Sequence, residues 1–288
     1  MGAFQLPKVV HPDFELRRER PESLEIDWDN PLAKNLIVFM VPMAGGSFDL
    51  VSQRYFSRNS NYLSRPDMGR MSRTNTTANS SIEVLTNDGR WAATAGITAG
   101  YVARYSGSVA NDDCFVDFRN DANTWRLKLT TNTSTSAFRV FAKNGGSRSL
   151  NFSNGPDPAD NKPHRVIASI GNSSRLRFAV DDYGIQDTSS SGGSPLAPDD
   201  FKLGSDGGGG SARGSIYCAY GFNRQLSEAE MVAVNKNCFS LLRPKVPQLS
   251  FSASEAAPGV TPIPPKLQGL NSQFATIIAH RLGGVLEQ

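Results

Sequence analysis

Residues 164–184 read HRVIASIGNSSRLRFAVDDYG, and this stretch decides the fold. Apolar side chains occupy every second position in 166–170 and again in 176–180. Between these runs, residues 171–174 are Gly-Asn-Ser-Ser, a composition that favours a turn. Because successive side chains of a strand point to opposite faces, each run predicts a strand with one buried face. The stretch therefore predicts an antiparallel hairpin.

The same period of two recurs along the chain. It is carried by Cys114-Val116-Phe118, Trp125-Leu127-Leu129, Phe138-Val140-Ala142 and Ile216-Cys218-Tyr220. Gly-, Ser- and Asn-rich turns separate these runs at the spacing typical of a sandwich. The sequence therefore predicts an all-β fold, an antiparallel β-sandwich over residues 26–243. Cys114 and Cys218 fall on its buried faces, so the three cysteines are expected to be buried, reduced thiols.

One short helix is predicted after the last of these strands. Ser227 and Glu230 form a Ser-x-x-Glu capping box, and Leu226 and Met231 are placed for a hydrophobic staple. The helix is predicted to run to about Asn237. Its narrow apolar stripe consists of Met231, Val234 and Cys238. A stripe of this width predicts a helix that lies against the edge or rim of the sandwich.

Both ends differ from the middle in composition. Residues 1–25 are polar and interrupted by proline, which predicts an extended N-terminal arm. Residues 244–266 are proline-rich and predict an extended linker. Residues 267–288 predict a short amphipathic helix that attaches the chain to a neighbouring subunit or, alternatively, folds back onto the sandwich, because so short a helix is marginal alone. Its apolar side is formed by Leu270, Phe274, Ile277, Ile278 and Leu282.

The last third of the sandwich region resembles the laminin-G-like, concanavalin A-like jelly-roll family. The resemblance lies in the hairpin of 164–184, a Leu-Gly step at 203–204, and a strand at 214–222 followed by Asn-Arg-x-Leu-Ser-x-x-Glu. It implies a jelly-roll sandwich. A second resemblance, to virion proteins of tailed bacteriophages that carry this domain, lies in DWDNPLAKNL at 27–36 and in short phrases within 270–286. It implies a component of a phage particle.

No motif assembles the chemistry of an enzyme. Glycosidases on this type of sandwich hold their carboxylates in a Glu-x-Asp-x-x-Glu string, which the sequence lacks. The acids nearest to such a pattern are Asp112, Asp113, Asp117, Asp181, Asp182, Asp199 and Asp200. They are more typical of turns. His164 is expected to hydrogen-bond at the start of its strand, and we expect no enzymatic activity.

The charge balance and the hydropathy of the sequence indicate which classes of partner to exclude. The 30 basic and 27 acidic residues nearly balance, which gives no electrostatic footprint for nucleic acid. No run of about 18 to 20 apolar residues indicates a membrane span, and the first residues lack the apolar stretch of a secretory signal. We therefore expect neither a nucleic-acid nor a membrane partner. With the resemblance to virion proteins, we expect assembly in a host cytoplasm and a location in the virion.

Two functions remain open at this stage. The first is a structural component of a bacteriophage virion, a capsid decoration or tail-associated subunit anchored by its termini. Its partners would be other virion proteins, and it would be a homo-oligomer, with a trimer favoured by analogy with jelly rolls on virus surfaces. The second is a lectin-like module that binds host-surface carbohydrate through Asn172 and Tyr183.

No cofactor is expected, although related domains bind calcium at a loop rim. The donors available for such an ion would be Asp181, Asp182, Asp199 and Asp200. Their spacing matches no recognisable calcium motif, and carboxylates in solvated turns are the alternative.

Overall fold

The computed structural model describes residues 24–43, 46–57, 62–67, 70–75, 83–86, 91, 96–105, 113–120, 125–132, 137–144, 146–152, 154–171, 175–189, 198–204 and 214–245. The chain divides into two units, residues 1–245 and 246–288, and every described residue belongs to the first. The predicted arm, linker and attachment segment lie almost wholly outside the described residues. These divisions therefore stay predictions.

The described strands are β1 (Leu24–Ile26), β2 (Leu36–Met43), β3 (Gly46–Asp49), β4 (Arg54–Ser57), β5 (Tyr62–Asp67), β6 (Arg70–Asn75), β7 (Glu83–Thr86), β8 (Gly96–Tyr105), β9 (Cys114–Arg119), β10 (Trp125–Asn132), β11 (Ala137–Asn144), β12 (Gly146–Asn151), β13 (Pro163–Gly171), β14 (Arg175–Val180), β15 (Ile185–Ser189), β16 (Asp200–Leu203), β17 (Gly214–Phe222) and β18 (Leu242–Pro244). A helix, α1 (Glu228–Lys236), and 3-10 turns at Pro31–Ala33 and Cys238–Leu241 complete these elements.

The strands form two large antiparallel sheets and a small one. The first has six strands in the order β12-β11-β10-β9-β16-β7. The second has ten strands, with β15-β14-β13-β8-β17-β2-β3-β4 along its main path and β6, which pairs with β17, and β5 beside it. β1 and β18 form a separate pair. The predicted all-β antiparallel sandwich, with a short helix near the C-terminal end of the described region, is confirmed.

The hairpin at 164–184 is present in the predicted register. β13 and β14 pair so that Val166 lies opposite Val180, and Ala168 opposite Phe178. These residues belong to the apolar cluster between the two large sheets. The register places both apolar runs on the same face, which is what a hairpin with a buried face requires.

Aromatic rings fill the space between the sheets. The Phe118 ring packs edge-on against Trp91 and Phe201, with centroids 5.3 Å away in each case. Further along β9, Phe115 packs against Tyr105 with centroids 4.5 Å apart. Edge-to-face pairs stabilise by more than their buried area alone. This layer fixes one sheet against the other.

Central strands of the ten-stranded sheet are buried on both faces, which the sequence did not predict. Val102, Ile167 and Ala179 point away from the six-stranded sheet into a second apolar cluster. That cluster also contains Met231 and Val234 of α1. The expectation of one buried face per strand is therefore wrong for β13 and β14, because a helix covers their other side. The helix lies on the face of the sheet, not at its edge or rim as predicted.

A bulge in β17 changes which residues face which layer. Pairing between β17 and β8 shifts between Ile216 and Cys218, so Ile216 faces the six-stranded sheet while Cys218 and Tyr220 face the helix layer. A bulge adds one residue to a strand and reverses the alternation beyond it. The prediction that these three residues share a face is wrong for this reason.

The cysteines are buried as predicted. Cys114, Cys218 and Cys238 are free thiols with almost no exposed surface. The Sγ atoms of Cys218 and Cys238 lie 3.4 Å apart, because β17 and the 3-10 turn at Cys238–Leu241 meet in the second apolar cluster. Both act as small apolar side chains there.

The start of α1 has the predicted cap. Ser227 Oγ accepts from the backbone N–H of Glu230, and Glu230 Oε2 accepts from the backbone N–H of Ser227. Leu226 and Met231 lie in the same apolar cluster, as a staple requires. Within the described part of the chain, no helix is long and apolar enough to cross a membrane.

The two ends of the described region meet. Leu24 of β1 lies opposite Pro244 of β18. Arg243 holds the pair together through ion pairs with Glu25 at 2.8 Å and Asp29 at 2.7 Å. The chain therefore enters and leaves the sandwich at adjacent positions.

We expect Phe118→Ala to destabilise the sandwich by about 3 to 5 kcal/mol, because the cavity it leaves between Trp91 and Phe201 cannot close fully. Chemical denaturation followed by tryptophan fluorescence measures the loss. Trp28→Ala is the matched aromatic truncation at the surface, where the side chain is 55% exposed. It should cost no more than about 0.5 kcal/mol. Equal losses would mean that Phe118 is not central to the core.

Candidate functional site

The turn between β14 and β15 carries most of the polar groups of the candidate site. It comprises residues 181–184, Asp-Asp-Tyr-Gly. Asp181 has φ of 47° and Gly184 has φ of 87°. Both values lie in the left-handed region, which glycine enters freely and aspartate more readily than most residues. The sequence of the turn therefore suits its backbone.

The carboxylate of Asp181 is held by two donors from β13. Its Oδ2 lies 2.8 Å from His164 Nδ1, and its Oδ1 accepts from the backbone N–H of Arg165 at 2.8 Å. These bonds tie the turn to the first residues of β13. They offset the conformational cost of the left-handed residue.

His164 lies between two carboxylates. The imidazole is only 3% exposed, and its Nε2 lies 2.9 Å from Asp160 Oδ1. Burial alone would lower the pKa of His164, but the hydrogen bonds and charges of Asp181 and Asp160 outweigh it and raise that pKa above 6.5. An ionised carboxylate only accepts hydrogen bonds, so the charged imidazolium, with two N–H donors, is the form that satisfies both neighbours.

Arg165 joins this turn to the end of α1. Its Nη2 donates to Asp182 Oδ2 at 2.9 Å, and its Nη1 donates to the backbone carbonyl of Lys236 at 2.9 Å. The carbonyls of the last helical turn lack partners within the helix, so this bond also satisfies one of them. The guanidinium therefore spans the space between turn and helix.

Asn235 is the residue of α1 that faces this turn. It is 3% exposed, and its Nδ2 donates to the backbone carbonyl of Asp181 at 2.8 Å. That bond fixes the orientation of the amide. Within the described part of the chain, its buried Oδ1 has no hydrogen-bond partner. A buried acceptor left without a donor costs about 1 to 3 kcal/mol.

A groove of about 380 Å³ lies between the turn and the helix. It is lined by Ala179, Asp181, Asp182, Gly184, Val232, Asn235 and Lys236. Val232 is 52% exposed and provides an apolar wall. The Lys236 side chain is exposed and makes no ion pair within the described residues. The groove thus combines an apolar surface, acceptor oxygens and one cation.

None of the binding residues predicted from the sequence is among the described residues that line the groove. Tyr183 lies on the turn beside the groove and is 59% exposed, but it is not among the lining residues. Asn172 lies outside the described residues, as do the C-terminal positions Leu270, Phe274, Ile277, Ile278 and Leu282. Sequence reasoning missed Asn235. The available signal was its i+4 spacing from Met231, which places a polar residue beside the apolar stripe of α1.

Three of the four acids considered for calcium bind other side chains of the protein. Asp181 and Asp182 bond to His164 and Arg165, and Asp200 pairs with Lys202 at 3.4 Å. No group of three or more metal-ligating side chains occurs among the residues that the structure describes.

Asp117 was predicted to be a turn acid, and this is wrong. It lies within β9, fully buried, and its two oxygens accept from Nε and Nη2 of Arg126. The bidentate pair gives this buried carboxylate two charge-assisted hydrogen bonds.

Known structures share the architecture of this chain. No protein-family model matches it, and no curated protein does. The binding domain of botulinum neurotoxin serotype G matches with a TM-score of 0.54 at 11% identity over 70% of this chain. The ligand-binding domain of serotype D, described in complex with N-acetylneuraminic acid, matches with a TM-score of 0.53 at 11% identity. Trypanosoma rangeli sialidase matches with a TM-score of 0.52 at 12% identity.

The chain spans 50% of each of these two toxin domains and 32% of the sialidase. At these identities the likeness shows the fold, a β-sandwich that these proteins share. It does not transfer an activity, since one fold hosts many functions.

Stability should fall as the pH rises through the pKa of His164, because that pKa is raised in the folded state. The contribution is fully present below about 6.5, the unfolded value, and disappears above the folded value. The melting temperature of the wild type should therefore drop between pH 6 and 9 by more than that of His164→Gln. Asp160→Asn should move the drop to lower pH. Identical pH profiles for wild type and His164→Gln would contradict the charged imidazolium.

Proposed function

We propose that this β-sandwich is a carbohydrate-binding module and that the groove between the turn at 181–184 and α1 is its site. The observation that carries the proposal is the buried, unpartnered Oδ1 of Asn235, a residue that lines the groove. A ligand hydroxyl that donates a hydrogen bond to this oxygen would recover the free energy lost by the burial of the oxygen.

The rest of the groove suits a sugar. Sugars present hydroxyls in fixed directions and patches of C–H groups between them. The Asp182 carboxylate supplies an acceptor that is largely exposed, and Ala179 and Val232 supply apolar contact. Ligand sites typically combine an apolar lining with a few such polar groups.

The similar folds add support. Two of the toxin domains matched with a TM-score of at least 0.52 are described in complex with sialylated or sialic acid ligands. A sandwich of this architecture is therefore compatible with glycan recognition at its surface. The position of the proposed site in this chain rests on Asn235 and the other residues that line the groove.

We further propose binding without hydrolysis. Most glycoside hydrolases use two carboxyl groups that flank the scissile bond, one of them free to give a proton. Both oxygens of Asp181 accept hydrogen bonds from β13, and Asp182 is paired with Arg165. These carboxylates hold the turn in place and have no role as proton donors in the proposal.

Asn235→Ala should weaken glycan binding by about 3- to 10-fold, the equivalent of one neutral hydrogen bond. The measurement is a titration of the strongest ligand found by screening the full chain on a glycan array. Asn223→Ala is the matched control, because Asn223 is also buried but does not line the groove. It should lower stability and leave the affinity unchanged.

Either of two results would contradict the proposal. One is the absence of binding to any glycan on a broad array. The other is glycan binding that Asn235→Ala and Asn223→Ala leave equally unchanged, which would move the site away from the groove.

A role as a structural component of a bacteriophage virion is a second proposal. The pairing of β1 with β18 supports anchoring, because the chain enters and leaves the sandwich side by side. A homo-oligomer, with a trimer favoured, and a virion location belong to this proposal. The two functions are compatible, since a particle subunit can also bind host glycans.

Mass spectrometry of purified phage particles tests the second proposal. We expect the chain in stoichiometric amounts, with hundreds of copies for a capsid decoration and a few dozen or fewer for a tail subunit. Its absence from particles of a phage that encodes it would refute the proposal.

A further inference from the structure

We infer that the groove selects uncharged sugars with adjacent free hydroxyls over acidic sugars, an inference that rests on the proposed carbohydrate-binding function. It concerns the ligand class, which the toxin domains of similar fold do not determine for this chain.

Two residues of the lining, Asn235 and Asp182, provide hydrogen-bond acceptors, and Lys236 provides a charged donor. Asn235 Oδ1 lacks a donor within the described part of the chain. Asp182 uses Oδ2 for Arg165, and its carboxylate is 76% exposed. A pair of adjacent hydroxyls can donate one bond to each residue. A ligand carboxylate carries no proton at neutral pH and can donate to neither.

The charges around the groove also disfavour an anion. Asp181 and Asp182 face it from the turn, and the last turn of α1, which ends at Lys236, adds the partial negative charge of a helix C-terminus. The two cations beneath them are already engaged, since His164 bonds to Asp181 and Arg165 bonds to Asp182. Lys236 is the remaining cation of the lining, and it lies where a basic residue offsets the charge of the helix end.

The shape of the groove leaves room for a ring. Gly184 lines the groove, and a side-chain carbon added there would meet no atom within 4 Å. Ala179 and Val232 offer apolar surface for the C–H groups of a sugar. A neutral ring therefore finds contact without placing a charge near Asp182.

The test compares matched glycan pairs that differ only by an acidic unit, beginning with lactose and 3′-sialyllactose and extending to other pairs on an array. We expect the full chain to bind the neutral member of its preferred pair at least about tenfold more tightly, as one unfavourable charge contact implies. Equal or tighter binding of the acidic member at a site sensitive to Asn235→Ala would overturn the inference and leave the proposed function standing. If no glycan binds, both the inference and the proposed carbohydrate-binding function are contradicted.

Two variants test whether the negative charge of Asp182 causes the preference for neutral sugars. Asp182→Asn keeps an acceptor oxygen and removes the negative charge, so it should narrow the neutral-to-acidic affinity ratio by at least about threefold, mainly through gain for the acidic member. Lys236→Gln is the opposite control and should not narrow the ratio. A ratio that Asp182→Asn leaves unchanged, or that Lys236→Gln narrows, would overturn the inference.

Discussion

The central strands of the ten-stranded sheet carry apolar side chains on both faces, and both faces must be kept from water. β8, β13 and β14 place Tyr101, Val166 and Phe178 towards the six-stranded sheet and Val102, Ile167 and Ala179 towards the other side. Leaving either set exposed would forfeit roughly 25 cal/mol per Å² of apolar surface. The six-stranded sheet covers one face and α1 with the following 3-10 turn covers part of the other. The architecture follows from this double requirement.

The groove exists because α1 ends beside the turn that follows β14. The covering helix brings Asn235 against the backbone of Asp181, and β13 brings His164 and Arg165 against its carboxylate. One aspartate thus links the strand, the turn and the helix. Because His164 holds Asp181 and Asp181 holds Asn235, the buried His164 side chain supports the geometry of the proposed sugar site.

The comparisons and the site provide different kinds of information. Toxin binding domains and a sialidase share the β-sandwich at 11% to 12% identity, and so low an identity does not preserve individual side chains. The inferred class of ligand for this chain therefore rests on Asn235 and Asp182. Their acceptor oxygens favour hydroxyl donors, and the charges around them are the basis of the inferred preference for neutral sugars.

Local patterns in the sequence determined the hairpin of β13 and β14, the strands around it, the burial of the cysteines and the cap at Ser227, because each depends on residues close together in the chain. Only the tertiary structure decided which faces are covered. The bulge in β17, the helix on the sheet and the pairing of Asp117 with Arg126 arise from contacts between separate elements of the fold. The groove depends on them as well: Asn235 and Asp181 are 54 residues apart, and no period links them.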